Sequence, residues 1–218
     1  MRIGVFGGTF DPVHLGHLIL AEQCREQGKL DQVWFIPAAR PPHKLERELT
    51  PFAQRVEMLN LALAGHKAFR ALEIEKDRPG PSYTADTLDA LAQLYPDNDW
   101  FLLIGSDSLD DLPTWHEPAR ILARAGLAVV ARPDHPLPCQ ETLKKMFGRN
   151  ELPAPELHVV QMPLIEIASS DLRSRAASGR SLRYQVPRSV ECYIENKGLY
   201  GSPRPSAHES VKPHSSEA

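Results

Sequence analysis

Three cysteines, Cys24, Cys139 and Cys192, are too few and too scattered for a disulfide framework or a zinc knuckle. They suit a reducing compartment. No stretch of the chain approaches the roughly 20 apolar residues that a membrane-spanning helix needs. The first residues carry no basic n-region and no small-residue cleavage site, and Gly7-Gly8 interrupt their apolar run, so no signal peptide is expected. A formal charge of −3 leaves no global field to attract nucleic acid or an anionic membrane surface. The absences together lead to the expectation of a cytoplasmic protein with neither nucleic acid nor membrane as partner. Any anion site has to be built locally.

What is present is ordinary material for one α/β domain: 218 residues, 42% hydrophobic and 24% charged. Short β-branched and aromatic runs recur at Arg2–Phe6, Gln32–Ile36, Phe69–Ile74, Trp100–Ile104, Leu127–Ala131 and Leu157–Gln161. Between them, Leu15–Gln27, Pro51–Ala64, Thr84–Leu94, Pro118–Arg124 and Val186–Asn196 repeat apolar residues at helical spacing. The alternation predicts a Rossmann-like, doubly wound, mostly parallel sheet covered on both faces, over residues 1–200. Residues 38–50 are Pro-rich and basic and read as a mobile loop. Residues 201–218 contain one large aliphatic residue, Val211, and are expected to be a disordered tail.

In such a sheet the ligand crevice lies beyond the carboxyl ends of the strands, where strand order reverses. For an order 3-2-1-4-5 that point falls between strands 1 and 4. Gly7-Gly8-Thr9 and Gly105-Ser106-Asp107 therefore meet there.

Glycines at the end of strand 1 let backbone amides approach an anion, and the helix that follows adds partial positive charge. His14 and His17, at i and i+3, share one face of its first turn. Incidental capping or packing histidines are the plain alternative. A metal site lacks a third Cys, His or carboxylate at ligand spacing. The spacing matches neither the dinucleotide fingerprint nor a P-loop. Two imidazoles, neutral or protonated, suit charge developing on phosphate oxygens. No serine or cysteine nucleophile is evident beside them, and a transfer between phosphates needs none.

Four further stretches carry chemistry. Pro41-Pro42-His43-Lys44 is either a solvated loop or a source of one phosphate-binding charge, Lys44. Ser82-Tyr83-Thr84 caps a helix, and the amides of a helix start favour a carboxylate. Trp115, before His116, is either a core anchor or a platform for a flat cationic ring. In Ala168-Ser169-Ser170-Asp171-Leu172-Arg173 the serines cap a helix or, with Arg173, grip phosphates. Asp107 suits a ribose hydroxyl or a metal-bound water.

Gly7-Gly8-Thr9-Phe10-Asp11-Pro12-Val13-His14-Leu15-Gly16-His17 resembles the G-G-x-F-x-P-x-H-x-G-H signature of the nucleotidyltransferase superfamily. Within it the chain is similar to the bacterial nicotinate-nucleotide adenylyltransferases over roughly residues 2–200. The resemblance implies AMP transfer from ATP, with Mg²⁺, to nicotinate mononucleotide, giving deamido-NAD and pyrophosphate. It implies catalysis by His14 and His17, with ATP at Gly7, Gly8, Thr9, Phe10, Gly105, Asp107, Ser170 and Arg173. The mononucleotide is implied at Lys44, Tyr83, Thr84, Trp115 and His116, with no protein metal site, in a monomer or homodimer. Ala168 and Leu172 depart from the family's usual serine and isoleucine. A pantetheine-phosphate adenylyltransferase shares the opening signature but has no use for Ser82-Tyr83-Thr84 and Trp115. A non-catalytic nucleotide-binding module does not need His14, His17, Lys44 and Arg173 together. An RNA-binding relative of the class I tRNA synthetases is disfavoured by the charge and the short chain.

Overall fold

Each β-branched run is followed by a segment too long for a hairpin, so neighbouring strands line up in parallel. The computed structural model describes residues 1–42, 49–131 and 156–201. Among these residues six strands, β1 (Arg2–Gly8), β2 (Gln32–Pro37), β3 (Phe69–Ala71), β4 (Asp99–Gly105), β5 (Ala125–Val130) and β6 (Leu157–Val160), form one sheet. Its order is β3-β2-β1-β4-β5-β6, with every pairing parallel. The helices are α1 (Leu15–Gln27), α2 (Phe52–Leu63), α3 (Thr84–Leu94), α4 (Ser106–Asp111), α5 (Pro118–Arg124), α6 (Ser169–Ala177) and α7 (Arg188–Lys197).

Period-2 alternation divides the core into two layers. Phe6, Phe35, Phe101, Leu103, Ala128 and Val130 face α1, α2, α6 and α7. Ile3, Val5, Trp34, Ile36, Leu102, Ile104, Leu127 and Val129 face α3, α4 and α5. Both sheet faces are covered, which is why the strands read as continuous apolar runs. The chain winds from β1 out to β3 with helices on one face, then returns to β4 and winds outward on the other. Right-handed crossovers require this change of face. The reversal lies between β1 and β4, as expected.

Three details differ from the sequence pattern. β3 stops at Ala71 instead of Ile74, because Leu72 donates its last ladder bond to the Phe35 carbonyl (3.0 Å) and the chain then turns, carrying Glu75 inward. α4 was not anticipated: Ser-Asp-Ser-Leu-Asp-Asp is too short and polar to show a period. α6 buries only Leu172 and Ala176, one i,i+4 pair. The tail beyond Gly201 and Cys139 lie outside the described residues. Cys24 is buried and its thiol is pushed up to about 12 by desolvation, so it is inert packing.

Gly126, in β5, has no room for a side chain. A Cβ there would lie 2.7 and 2.8 Å from Phe101 ring atoms and 2.9 Å from the Glu156 carbonyl oxygen. Gly126→Ala is expected to cost about 1–3 kcal/mol through overpacking, read as a lower urea midpoint at unchanged m. An unchanged midpoint would show that the Phe101 ring and the Glu156 carbonyl give way at little cost.

Candidate active site

β1 leaves the sheet at Gly7-Gly8 and its neighbour β4 leaves at Gly105. Val5 is registered with Leu102, so three further residues along each strand bring Gly8 and Gly105 to the same edge. A Cβ on Gly7 would meet nothing within 4 Å, whereas one on Gly8 would lie 2.9 to 3.2 Å from the Phe10 ring. Gly8 thus makes room for Phe10, whose backbone adopts φ 49° and whose ring folds back beneath the turn. That ring is buried against Phe6 and Phe35, so Phe10 can offer a ligand only its backbone.

The carbonyls of this turn are claimed by distant parts of the chain. The Gly8 oxygen accepts from the Ala38 amide (2.8 Å) and the Thr9 oxygen from Arg55 Nη1 (2.7 Å). The Asp11 oxygen accepts from Arg173 Nη1 (2.5 Å), and the Pro12 oxygen from Ser169 Oγ (2.9 Å). The Asp11 carboxylate, itself buried, accepts from the Tyr200 hydroxyl (2.6 Å) and the Thr50 amide (3.3 Å). Burial and the Asp11 charge push the Tyr200 hydroxyl far above its ordinary pKa, so it remains a donor. The cationic donors Arg55 and Arg173 offset part of the negative potential of the carbonyls they hold. Beside them opens a cleft of about 360 Å³ lined by Asp11, Thr50, Ser170, Arg173, Ser174, Ala177 and Tyr200.

His14 caps α1 and His17 is the third residue of its first turn. Their rings stack with centroids 3.6 Å apart and planes at 27°. Gly16 permits this, since a Cβ there would lie 3.0 Å from His14 Nδ1. Burial pushes the His14 pKa down to about 4, so the ring is neutral at pH 7. His17 Nδ1 accepts the His14 backbone N–H (3.2 Å), which in a neutral ring places the proton on Nε2. His17 also packs edge-on to Phe10 at 5.1 Å. The arrangement offers uncharged N–H donors at a helix start, where partial positive charge is already concentrated.

A second cluster gathers at the start of α3. The Tyr83 ring stacks on His116 with centroids 4.1 Å apart. The serine caps expected at two helix starts are not made. Ser82 Oγ instead accepts the Arg40 amide (3.0 Å), while the Ser82 amide donates to the Arg40 carbonyl (2.8 Å). Tyr83 is the N-cap of α3, followed by Thr84 as its first residue, and Ala168 is the N-cap of α6, both without a side-chain cap. Trp115 is half-buried and packs against the core layer that contains α3, α4 and α5, which agrees with the anchor reading for part of the side chain. Gly105 caps α4 and Asp107 is that helix's second residue, at the mouth of β4. Ser170 is exposed at the start of α6, while Arg173 is held against the turn after β1. Lys44 lies outside the described residues.

Sequence reasoning missed Arg55, Glu75 and Tyr200. Arg55 had a readable signal: it sits three and four residues before Met58 and Leu59, on the buried stripe of α2. Tyr200 and Glu75 had none, since a residue in a turn shows no periodicity.

The model of the cytidylyltransferase-like family matches residues 5–175. A Thermomicrobium roseum protein named "Probable nicotinate-nucleotide adenylyltransferase" is 49% identical over 199 residues, covering 91% of each chain. A Thermus thermophilus protein of the same name is 46% identical over 200 residues, covering 92% of this chain and all of its own. In fold, the chain superposes with a TM-score of 0.75 on a Plasmodium falciparum nicotinic acid mononucleotide adenylyltransferase complexed with NaAD. That match has 18% identity and covers 93% of this chain and 98% of the other.

The buried neutral His14 has a thermodynamic consequence. Its folded pKa lies below the unfolded value near 6.5, so only the unfolded chain takes up the proton between about pH 6.5 and 4. Stability from this group is complete above that window and falls by about 3 kcal/mol across it. Comparing wild type with His14→Gln by denaturant unfolding at pH 7, 5.5 and 4 should reveal that loss only in wild type. Parallel profiles would rule out a neutral buried ring.

Proposed function

We propose that this chain, which belongs to the cytidylyltransferase-like family, transfers AMP from ATP to nicotinate mononucleotide, forming nicotinate adenine dinucleotide and pyrophosphate in NAD biosynthesis. The observation that carries the reading is the His14–His17 stack on a turn in which the Gly8, Thr9, Asp11 and Pro12 carbonyls are engaged by other parts of the chain. The relatives' names supply the acceptor.

The acceptor's phosphate oxygen attacks the α-phosphorus of ATP in line. The new O–P bond forms as the bond from the α-phosphorus to the bridging oxygen breaks, and pyrophosphate leaves with that electron pair. No protein nucleophile and no covalent enzyme intermediate take part. The backbone of Gly7, Gly8, Thr9 and Phe10 cradles the α-phosphate. His14 and His17 donate N–H groups to phosphate oxygens as charge shifts toward the leaving group, a contact that strengthens in the transition state. Ser170 and Arg173 hold the β- and γ-phosphates, and Gly105 and Asp107 the ATP ribose. Lys44 holds the acceptor phosphate. Tyr83 and Thr84 meet the pyridine carboxylate at the α3 start, while Trp115 and His116 flank the ring. One domain over residues 1–200 suffices for these contacts.

A Mg²⁺ brought with ATP would be held mainly by the triphosphate and would supply charge neutralisation there. Among the described residues, the one metal-competent group is Asp86, His116 and Glu117, with ligand atoms within 4.8 Å of one another. It suits a resident Mg²⁺ poorly. Arg120 already pairs with both carboxylates, and a nitrogen ligand is a poor match for this cation.

Pyrophosphate release from Mg-ATP is expected with nicotinate mononucleotide and not with pantetheine phosphate or without acceptor. Signal confined to pantetheine phosphate would reassign the substrate. His17→Ala is expected to lower kcat by about 10²–10³-fold with a much smaller change in KM, as for loss of one transition-state donor. Wild-type turnover in that variant would remove His17 from the chemistry.

A further inference from the structure

Behind the two clusters lies a polar network that the proposed chemistry does not use. Arg55 is 1% exposed and Glu75 5%. Arg55 Nη1 donates to the Thr9 oxygen (2.7 Å) and to the Ala38 oxygen (2.9 Å), while its Nε donates to the Thr50 oxygen (2.9 Å). The guanidinium therefore binds the phosphate turn after β1 and the loop after β2 through one nitrogen. It also grips both ends of the 38–50 segment, whose interior carries Lys44.

Glu75 takes the N–H of the same Ala38–Ala39 peptide group, from its other side. Its Oε2 accepts the Ala39 amide (3.4 Å) and its Oε1 accepts the Thr87 hydroxyl (2.5 Å). Thr87 lies one turn into α3, and its own amide donates to the Tyr83 carbonyl (3.1 Å). An unbroken chain of contacts thus runs from Thr9 through Arg55, Ala38-Ala39, Glu75 and Thr87 to Tyr83.

We propose that Arg55 and Glu75 form a buried clamp on Ala38-Ala39 that sets the spacing between the phosphate turn and the start of α3. The inference rests on the adenylyltransfer reading, in which those two places hold the electrophile and the acceptor. Both are positioning residues, since each acts through other residues of the chain and neither touches a substrate. The geometry demands these side chains. A lysine ammonium lacks the planar fork that reaches three carbonyls in different directions. Burying a guanidinium costs several kcal/mol unless its donors are satisfied, and an apolar residue could fill the same volume without that cost. What the apolar residue cannot do is fix two loops relative to each other. In-line attack is sensitive to such spacing, where a misplacement of about 1 Å can cost about 10²-fold in rate.

The test compares wild type with Arg55→Lys and Glu75→Gln, each verified as folded at the assay temperature by circular dichroism. Pyrophosphate release with Mg-ATP and nicotinate mononucleotide should show kcat lowered about 10- to 100-fold. KM for either substrate should change by less than about threefold, because the individual subsites survive. Amide hydrogen exchange should accelerate at residues 9–11 and 38–40 in both variants, with the sheet unchanged. Folded variants that keep kcat within about twofold of wild type, or that leave exchange at those amides unaltered, would overturn the clamp. Wild type that fails to use nicotinate mononucleotide would instead overturn the functional reading, and the exchange comparison would still decide the clamp.

Discussion

The constraint on the turn after β1 is that its carbonyl oxygens must find partners, and at four positions they do. Gly8, Thr9, Asp11 and Pro12 give their oxygens to Ala38, Arg55, Arg173 and Ser169, which come from the end of β2, from α2 and from α6. Buried peptide groups have to be paired somewhere. Here the pairing draws in elements from across the chain, which explains charged side chains where the apolar patterns of α2 and α6 would place packing. Asp11 extends the same logic with its side chain, taking the Tyr200 hydroxyl and the Thr50 amide, so the last described residues brace the first turn.

The histidines show how the site acquires electrostatic strength without charge. Two imidazolium ions 3.6 Å apart would repel strongly at the low effective dielectric of a buried site. Burial keeps His14 neutral, and the His14 backbone N–H selects the tautomer of His17. Gly16 admits the stack and Phe10 supports it from the side. The result is a pair of oriented donors at a helix start, with little left to reorganise when charge moves. Both flanking glycines, Gly8 and Gly16, are explained by rings that lie over them.

The two clusters differ in how they are built. The turn after β1 is held almost wholly by hydrogen bonds to backbone. The other side rests on ring stacking between Tyr83 and His116 and on the two bonds between Ser82 and Arg40. The clamp residues join them through the interior, beneath the crevice. Buried polar networks of this kind are costly unless fully engaged, and their engagement is what makes them rigid.

Much of this was legible in the chain itself. Alternating runs of period 2 and 3.6 are local properties, so the strand order around β1 and β4 and the meeting of Gly7-Gly8 with Gly105 followed from the sequence and the handedness of crossovers. The histidine pair was legible for the same reason, since i and i+3 on one helical turn is a local relation. Whether Ser82 and Ser169 cap their own helices was not, because a hydroxyl chooses between a nearby amide and a distant partner only once folding has delivered that partner. The stop of β3 at Ala71 and the inward turn of Glu75 depend likewise on the demands of the interior. Arg55 makes the division plainest. In the sequence it is one cation in an apolar stripe, and only the packed structure decides which three carbonyls it must hold, because hydrogen bonds between residues far apart in the chain have no period to read.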